Sequence, residues 1–153
     1  MTPDKRDAAQ AQARAEKKRK RPKVKSREEL PHEEPPNWDK EHPVFCLRHV
    51  HRDHDLKNAD FQIASKAAFA VRLQTLASMT WNDIRLADRH GYGSEKLPVD
   101  DLSISLPSSF EDEDHVTVLR YDGLLPMVGV RRQSTFHILA IERQFGELYD
   151  HGD

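Results

Sequence analysis

Residues 115–142 read HVTVLRYDGLLPMVGVRRQSTFHILAIE, and this stretch decides the fold. Three apolar runs, HVTVLRY, PMVGVRR and TFHILAIE, are rich in Val, Ile, Leu and Phe. Each is of strand length, and turn residues separate them: Tyr121-Asp122-Gly123 at the first junction, Gln133-Ser134 at the second. Two consecutive hairpins are the expectation. In the second hairpin, a three-residue loop over Gln133–Thr135 sets Arg132 opposite Phe136 and Arg131 opposite His137. Val128 and Val130 then share one face with Phe136 and Ile138. That is the preferred register because it gathers the larger apolar side chains. A two-residue turn instead puts Arg132 on the His137 face.

Working back towards the N-terminus, the acidic SSFEDEDH is a surface connection, Leu102–Leu106 is a weak further strand and GYGSEKLP is a loop. Thr80 is a good N-cap, with Asp83 at the third helical position and Met79 placed to pack on Ile84. This predicts a helix from Trp81 to about His90, ended by Gly91. SKAAFAVRLQTLASM carries Phe69, Leu73 and Leu76 at helical spacing. Before it, the polar HRDHDLKNAD is a loop, and VFCLRHV alternates well enough for a short strand. The order strand, helix, helix, strand, strand, strand predicts an α+β domain over 44–153. Its sheet would be small and antiparallel-dominated, with two helices packed on one face.

Residues 1–43 have a different texture. Six prolines and few apolar side chains predict a disordered charged arm, which lacks the surface to offset its conformational entropy. Charge divides along the same line. Residues 1–27 hold eleven Lys/Arg against three Asp/Glu, so the net −2 of the chain hides a basic arm on an acidic body. Lys17, Lys18, Arg19, Lys20, Arg21 and Lys23 are the candidates for nucleic-acid contact through phosphate neutralisation. The single Cys46 excludes an intrachain disulfide, and no apolar run reaches the roughly 18 residues of a membrane span. A cytoplasmic setting without membrane attachment is the expectation.

Certain motifs carry a resemblance: LRYDG around Arg120, VGVRR around Arg131 and LYDH at the end, on the βααβββ order. The chain resembles the RelE/ParE-like toxins of bacterial toxin–antitoxin pairs. It is also similar to a set of small uncharacterised bacterial proteins through Trp81, Arg89, His90, Gly91, Glu95, Lys96, Arg131, His137, Tyr149 and His151. The first likeness implies a compact domain, an antitoxin protein as partner, and RNA or the ribosome as target. Some members of that superfamily cleave mRNA without a metal, whereas ParE-like members bind a target protein. The acidic body departs from the basic character usual in these toxins.

Metal-independent RNA cleavage needs a base for the 2′-hydroxyl, an acid for the leaving oxygen and cations for the phosphate. The candidates are His137, Tyr149, His151 and Arg131 for catalysis, with Arg120, Arg132, His90 and Lys96 for substrate binding. No metal or cofactor is called for. The rival expectation is a non-catalytic interaction module. In that reading the acidic body binds a partner protein and the basic arm contacts nucleic acid. Geometry separates the two: the enzyme needs Arg131, His137 and Tyr149 around one phosphate-sized spot, and a tyrosine turned into the core favours the module.

Overall fold

The computed structural model describes residues 34–89 and 91–152, and its larger compact unit spans Asn37–Asp153. Strand β1 (Val44–Cys46) leads to helix α1 (Ile63–Ala77) and the short helix α2 (Trp81–Leu86). Strands β2 (Ser94–Pro98), β3 (His115–Asp122), β4 (Leu125–Arg132) and β5 (Thr135–Ile141) complete one α+β domain. The five strands form a single mixed sheet in the order β1-β5-β4-β3-β2, with β1 parallel to β5 and the other pairs antiparallel.

The expected start of α2 is present in full. The Thr80 hydroxyl accepts from the Asp83 backbone N–H, and the Asp83 carboxylate accepts from the Thr80 N–H. Met79 and Ile84 both pack in the core beneath. The helix nevertheless stops at Leu86 rather than His90. Gly93 lies so close to the Ala87 carbonyl oxygen that a Cβ there would stand 2.4 Å from it, so the chain must turn back immediately. Residues 37–43, assigned to the arm by composition, belong to the folded unit. A 3-10 turn at Trp38–Lys40 is held by Asp39 to Arg131, and the Glu41 carbonyl accepts from the Trp81 N–H.

Strand β2 replaces the expected loop, and Leu102–Leu106 is not a strand. Ser94–Pro98 contains one buried residue, Leu97, and lies on the edge of the sheet. Lys96 and Pro98 are residues typical of such edges. Leu102, Ile104 and Leu106 do turn inward, but as irregular chain laid over the sheet.

Both faces of the sheet are buried, and this overturns the preferred hairpin register. Leu119, Tyr121, Met127, Phe136, Ile138 and Ile141 meet Phe69 and Leu76 of α1, Trp81 and Ile84 of α2, and Phe61 just before α1. Val116, Val118, Val128, Val130, Leu139 and Ala140 meet Phe110, Leu148 and Tyr149 from the irregular segments on the other side. The second turn has two residues, Gln133 and Ser134. Arg131 is therefore opposite Phe136, Arg132 opposite Thr135, and Val130 opposite His137. A bulge between Val128 and Gly129 turns Leu139 and Ala140 to the same side. With apolar residues wanted on both faces, gathering the large ones on one face does not select the register.

Candidate functional site

Five of the polar groups expected at a site lie on the sheet face away from the helices, but at its two ends. At one end the chain rises from β5 through Glu142, turns at Gly146 and passes back over the sheet as residues 143–151. Leu148 anchors this strap in the core. The strap brings Tyr149 and His151 down onto Arg120 of β3. The Arg120 guanidinium donates to the Leu124 carbonyl at 2.7 Å, to His151 Nδ1 at 3.3 Å and to the Tyr149 hydroxyl at 3.5 Å. Glu95 of β2 completes its partners at 3.6 Å.

Arginine only donates, so His151 Nδ1 must accept and its proton sits on Nε2, which faces Glu142 Oε1 at 2.7 Å. The ring is stacked between Phe145 and Tyr149, with centroids 4.0 and 4.1 Å away. Glu142 also accepts from the backbone N–H groups of Gly146 and Leu148. The result is a relay of Arg120, His151 and Glu142. Exposure is 7% for Arg120, 0% for Glu142 and 6% for Tyr149, and 4% for the His151 side chain. Burial pushes the Tyr149 hydroxyl up to about 12, against the opposing pull of Arg120. Such a tyrosine keeps its proton at neutral pH and is closed off from solvent. Tyr149 and His151 satisfy a buried arginine.

Arg132 and His137 lie at the other end of the same face. The Arg132 guanidinium stands 4.3 Å over the Phe110 ring and pairs with Glu113 at 3.4 Å. His137 packs against Phe110 and His49. Its Nδ1 is buried without a hydrogen-bond partner among the described residues, and burial, His49 and Arg132 together lower its pKa. Arg131 belongs to the opposite, helix-side face. It stacks 4.5 Å over the Trp81 ring and binds Asp39 at 2.8 Å. Arg131, His137 and Tyr149 therefore do not surround one spot.

Arg131 instead enters an open cleft of about 600 Å³ on the helix side of the sheet, where α1 and α2 leave β2 and the start of β3 uncovered. Its floor is Lys96, Thr117 and Arg131, its helix wall is Trp81 and Arg85, and its lip is the loop Asp112–Asp114. Among the described residues Arg85 is held only by the Asn82 side chain, at 2.7 Å. The Trp81 indole, nearly buried, donates to the Ser134 carbonyl and fixes the plane on which Arg131 lies. This cleft is the accessible candidate site. Lys96, an expected substrate contact, lines it.

His90 and the cluster Lys17–Lys23 lie outside the described residues. Two carboxylates beside these groups were not among the expected site residues: Glu142, the charge that ends the apolar run FHILAI, and Glu95, the partner of Arg120. A carboxylate directly after a buried strand was the available signal for Glu142. Among the described residues no helix is long and apolar enough to cross a membrane.

None of the family models, curated proteins or solved structures compared with the chain matches it.

Proposed function

We propose that this domain is a RelE/ParE-like interaction module that acts by holding a partner protein. The observation that carries this reading is the burial of Tyr149 with Arg120, His151 and Glu142. The three expected site groups among them are occupied with one another and out of reach of an RNA strand. The separation of Arg131 from His137 by the thickness of the sheet supports the same conclusion. The order of a strand, two helices and a three-strand meander supports the toxin-like kinship, with Ser94–Pro98 inserted as an additional edge strand. A body that is net acidic suits a protein partner better than a phosphate backbone. Nucleic-acid contact is then left to Lys17–Lys23, and an antitoxin-type protein is one partner such a module would take.

One observation favours the second reading, a metal-independent endoribonuclease. Arg120, Tyr149 and His151 do converge, and they are the residue types that such cleavage uses.

Purified protein incubated with messenger RNA, free and on translating ribosomes, separates the two. The module reading expects intact transcripts, and any growth arrest on induced expression should persist in Tyr149→Phe and His137→Ala. Cleaved transcripts that disappear in Tyr149→Phe, with the melting temperature unchanged, would overturn it in favour of the nuclease.

A further inference from the structure

The cleft beside β2 is unusual in its arrangement of charge. Arg85, Lys96 and Arg131 supply three cations from the floor and helix wall, and Asp112, Glu113 and Asp114 supply carboxylates from the lip. Two of the cations, Arg85 and Lys96, have no carboxylate partner among the described residues, whereas Arg120, Arg131, Arg132 and Arg143 each have one. Glu113 is paired with Arg132, but Asp112 and Asp114 have no salt-bridge partner among the described residues. A polyanion gains from the floor and is repelled by the lip, and a polycation meets the reverse. A ligand with both signs gains from both.

The cleft is bordered by a sheet edge. Among the described residues no strand pairs with the outer side of β2, so Ser94–Pro98 presents unpaired backbone donors and acceptors along one line of the cleft. Ser94 and Lys96 point their side chains into the cleft from that strand. An extended peptide has the shape and the backbone chemistry for such an edge. The lysine at its centre discourages indiscriminate pairing and admits a strand that brings an acidic side chain opposite it.

Resting on the reading as an interaction module, we propose that β2 and its cleft bind an extended segment of the partner protein. That segment pairs with Ser94–Leu97 as an added strand. Its acidic side chains reach Lys96 and Arg85, and a basic one reaches Asp112 or Asp114. The ligand class is a mixed-charge peptide, not a nucleic acid.

The test uses the full chain, isotope-labelled for amide NMR, and four probes: the blocked peptides TETKTET, TKTETKT and TKTKTKT, and hexauridylate RNA. The mixed-charge peptide is expected to shift the amides of Ser94, Glu95, Lys96 and Leu97. Lys96→Glu, an exposed change on a strand with a single buried residue, should weaken that peptide at least tenfold and bind the charge-reversed peptide TKTETKT in its place. No amide shift along β2 at millimolar mixed-charge peptide overturns the proposal. So does equal binding of the all-basic peptide, or a stronger response to hexauridylate. The same samples are incubated with messenger RNA. Cleavage there overturns the module reading itself, whereas intact RNA with no peptide binding removes only the assignment of β2.

Discussion

Changing Glu142 to Gln tests whether the relay beneath the strap carries as much stability as its burial implies. The substitution keeps the size of the side chain but removes a fully buried carboxylate that binds His151 behind Arg120. One carboxamide oxygen can still accept from Gly146 or His151. The other end becomes an NH2 group that must face the Leu148 N–H or the His151 Nε2–H, donor against donor. Glu142 reaches Arg120 through His151, and the carboxylate paired with Arg120 directly, Glu95 at 3.6 Å, is partly in water. Breaking a buried ionic network by removing one member costs about 3–5 kcal/mol. Arg120 retains its Leu124 carbonyl and Tyr149 partners, so the lower end, about 3 kcal/mol, is expected. For a domain of this size that is a fall in melting temperature of roughly 10 °C. Urea unfolding followed by tryptophan fluorescence gives the free energy, and Arg120→Met supplies the other arm of a double-mutant cycle. The double variant should cost less than the sum of the single ones by at least about 1 kcal/mol, since neither leaves the other's charge stranded. A loss below about 1 kcal/mol for Glu142→Gln, or strict additivity with Arg120→Met, would refute the relay as the element that holds the strap.

Three further outcomes follow from other parts of the fold. Gln133 turns the second hairpin with φ at 58°, where a side chain is strained; Gln133→Gly should raise stability by about 0.5–1 kcal/mol in thermal unfolding. The Tyr149 hydroxyl, raised by burial from an ordinary value near 10 to about 12, contributes stability that is complete below pH 10 and is lost as pH rises through 12. Tyr149→Phe should flatten that alkaline loss, and ultraviolet phenolate absorbance should lose a step near pH 12. For Glu147, burial raises the pKa, but hydrogen bonds from the Arg143 side chain and from the backbone of Arg143 and Gln144 outweigh it, and the net shift is downward. Its contribution is therefore complete above its ordinary 4.5 and is lost as pH falls through the depressed native value, so Glu147→Gln should show a shallower acid limb in urea midpoints.

The parts of the fold that sequence revealed are those where local chemistry leaves one choice. Thr80 and Asp83 mark a helix start by their spacing alone, and Asp122-Gly123 marks a hairpin. Strand β2 gave no such mark, because SEKLP holds little apolar surface and becomes a strand by pairing with 115–119 of β3. The register of β4 on β5 was hidden for the opposite reason. Both faces of these strands are apolar, and the cover on the second face comes from irregular chain whose path no periodicity announces. Among site residues, the convergence of Arg120, Tyr149 and His151 was legible as types and positions. Their burial was not, since it depends on Leu148 and Phe145 closing over them. The placement of Arg131 on Trp81 follows from a one-residue difference in the turn, which moves a side chain from one face to the other.

The parallel pairing of β1 with β5 sets an order of events as the chain is made. Val44, Phe45 and Cys46 are synthesised early, but their ladder partners are Thr135, Phe136 and His137. Helix α1 can form from its own residues and the β3–β4–β5 meander from short-range hairpins, while the first strand must wait for nearly the whole domain to emerge. Contacts so distant in sequence slow folding, because the loop between them has to be closed before they return any free energy. During that interval the future β1 edge of β5 is unprotected, with Phe136 and Ile138 beside it. Until those three residues dock, that edge is open to pairing with another copy of the chain.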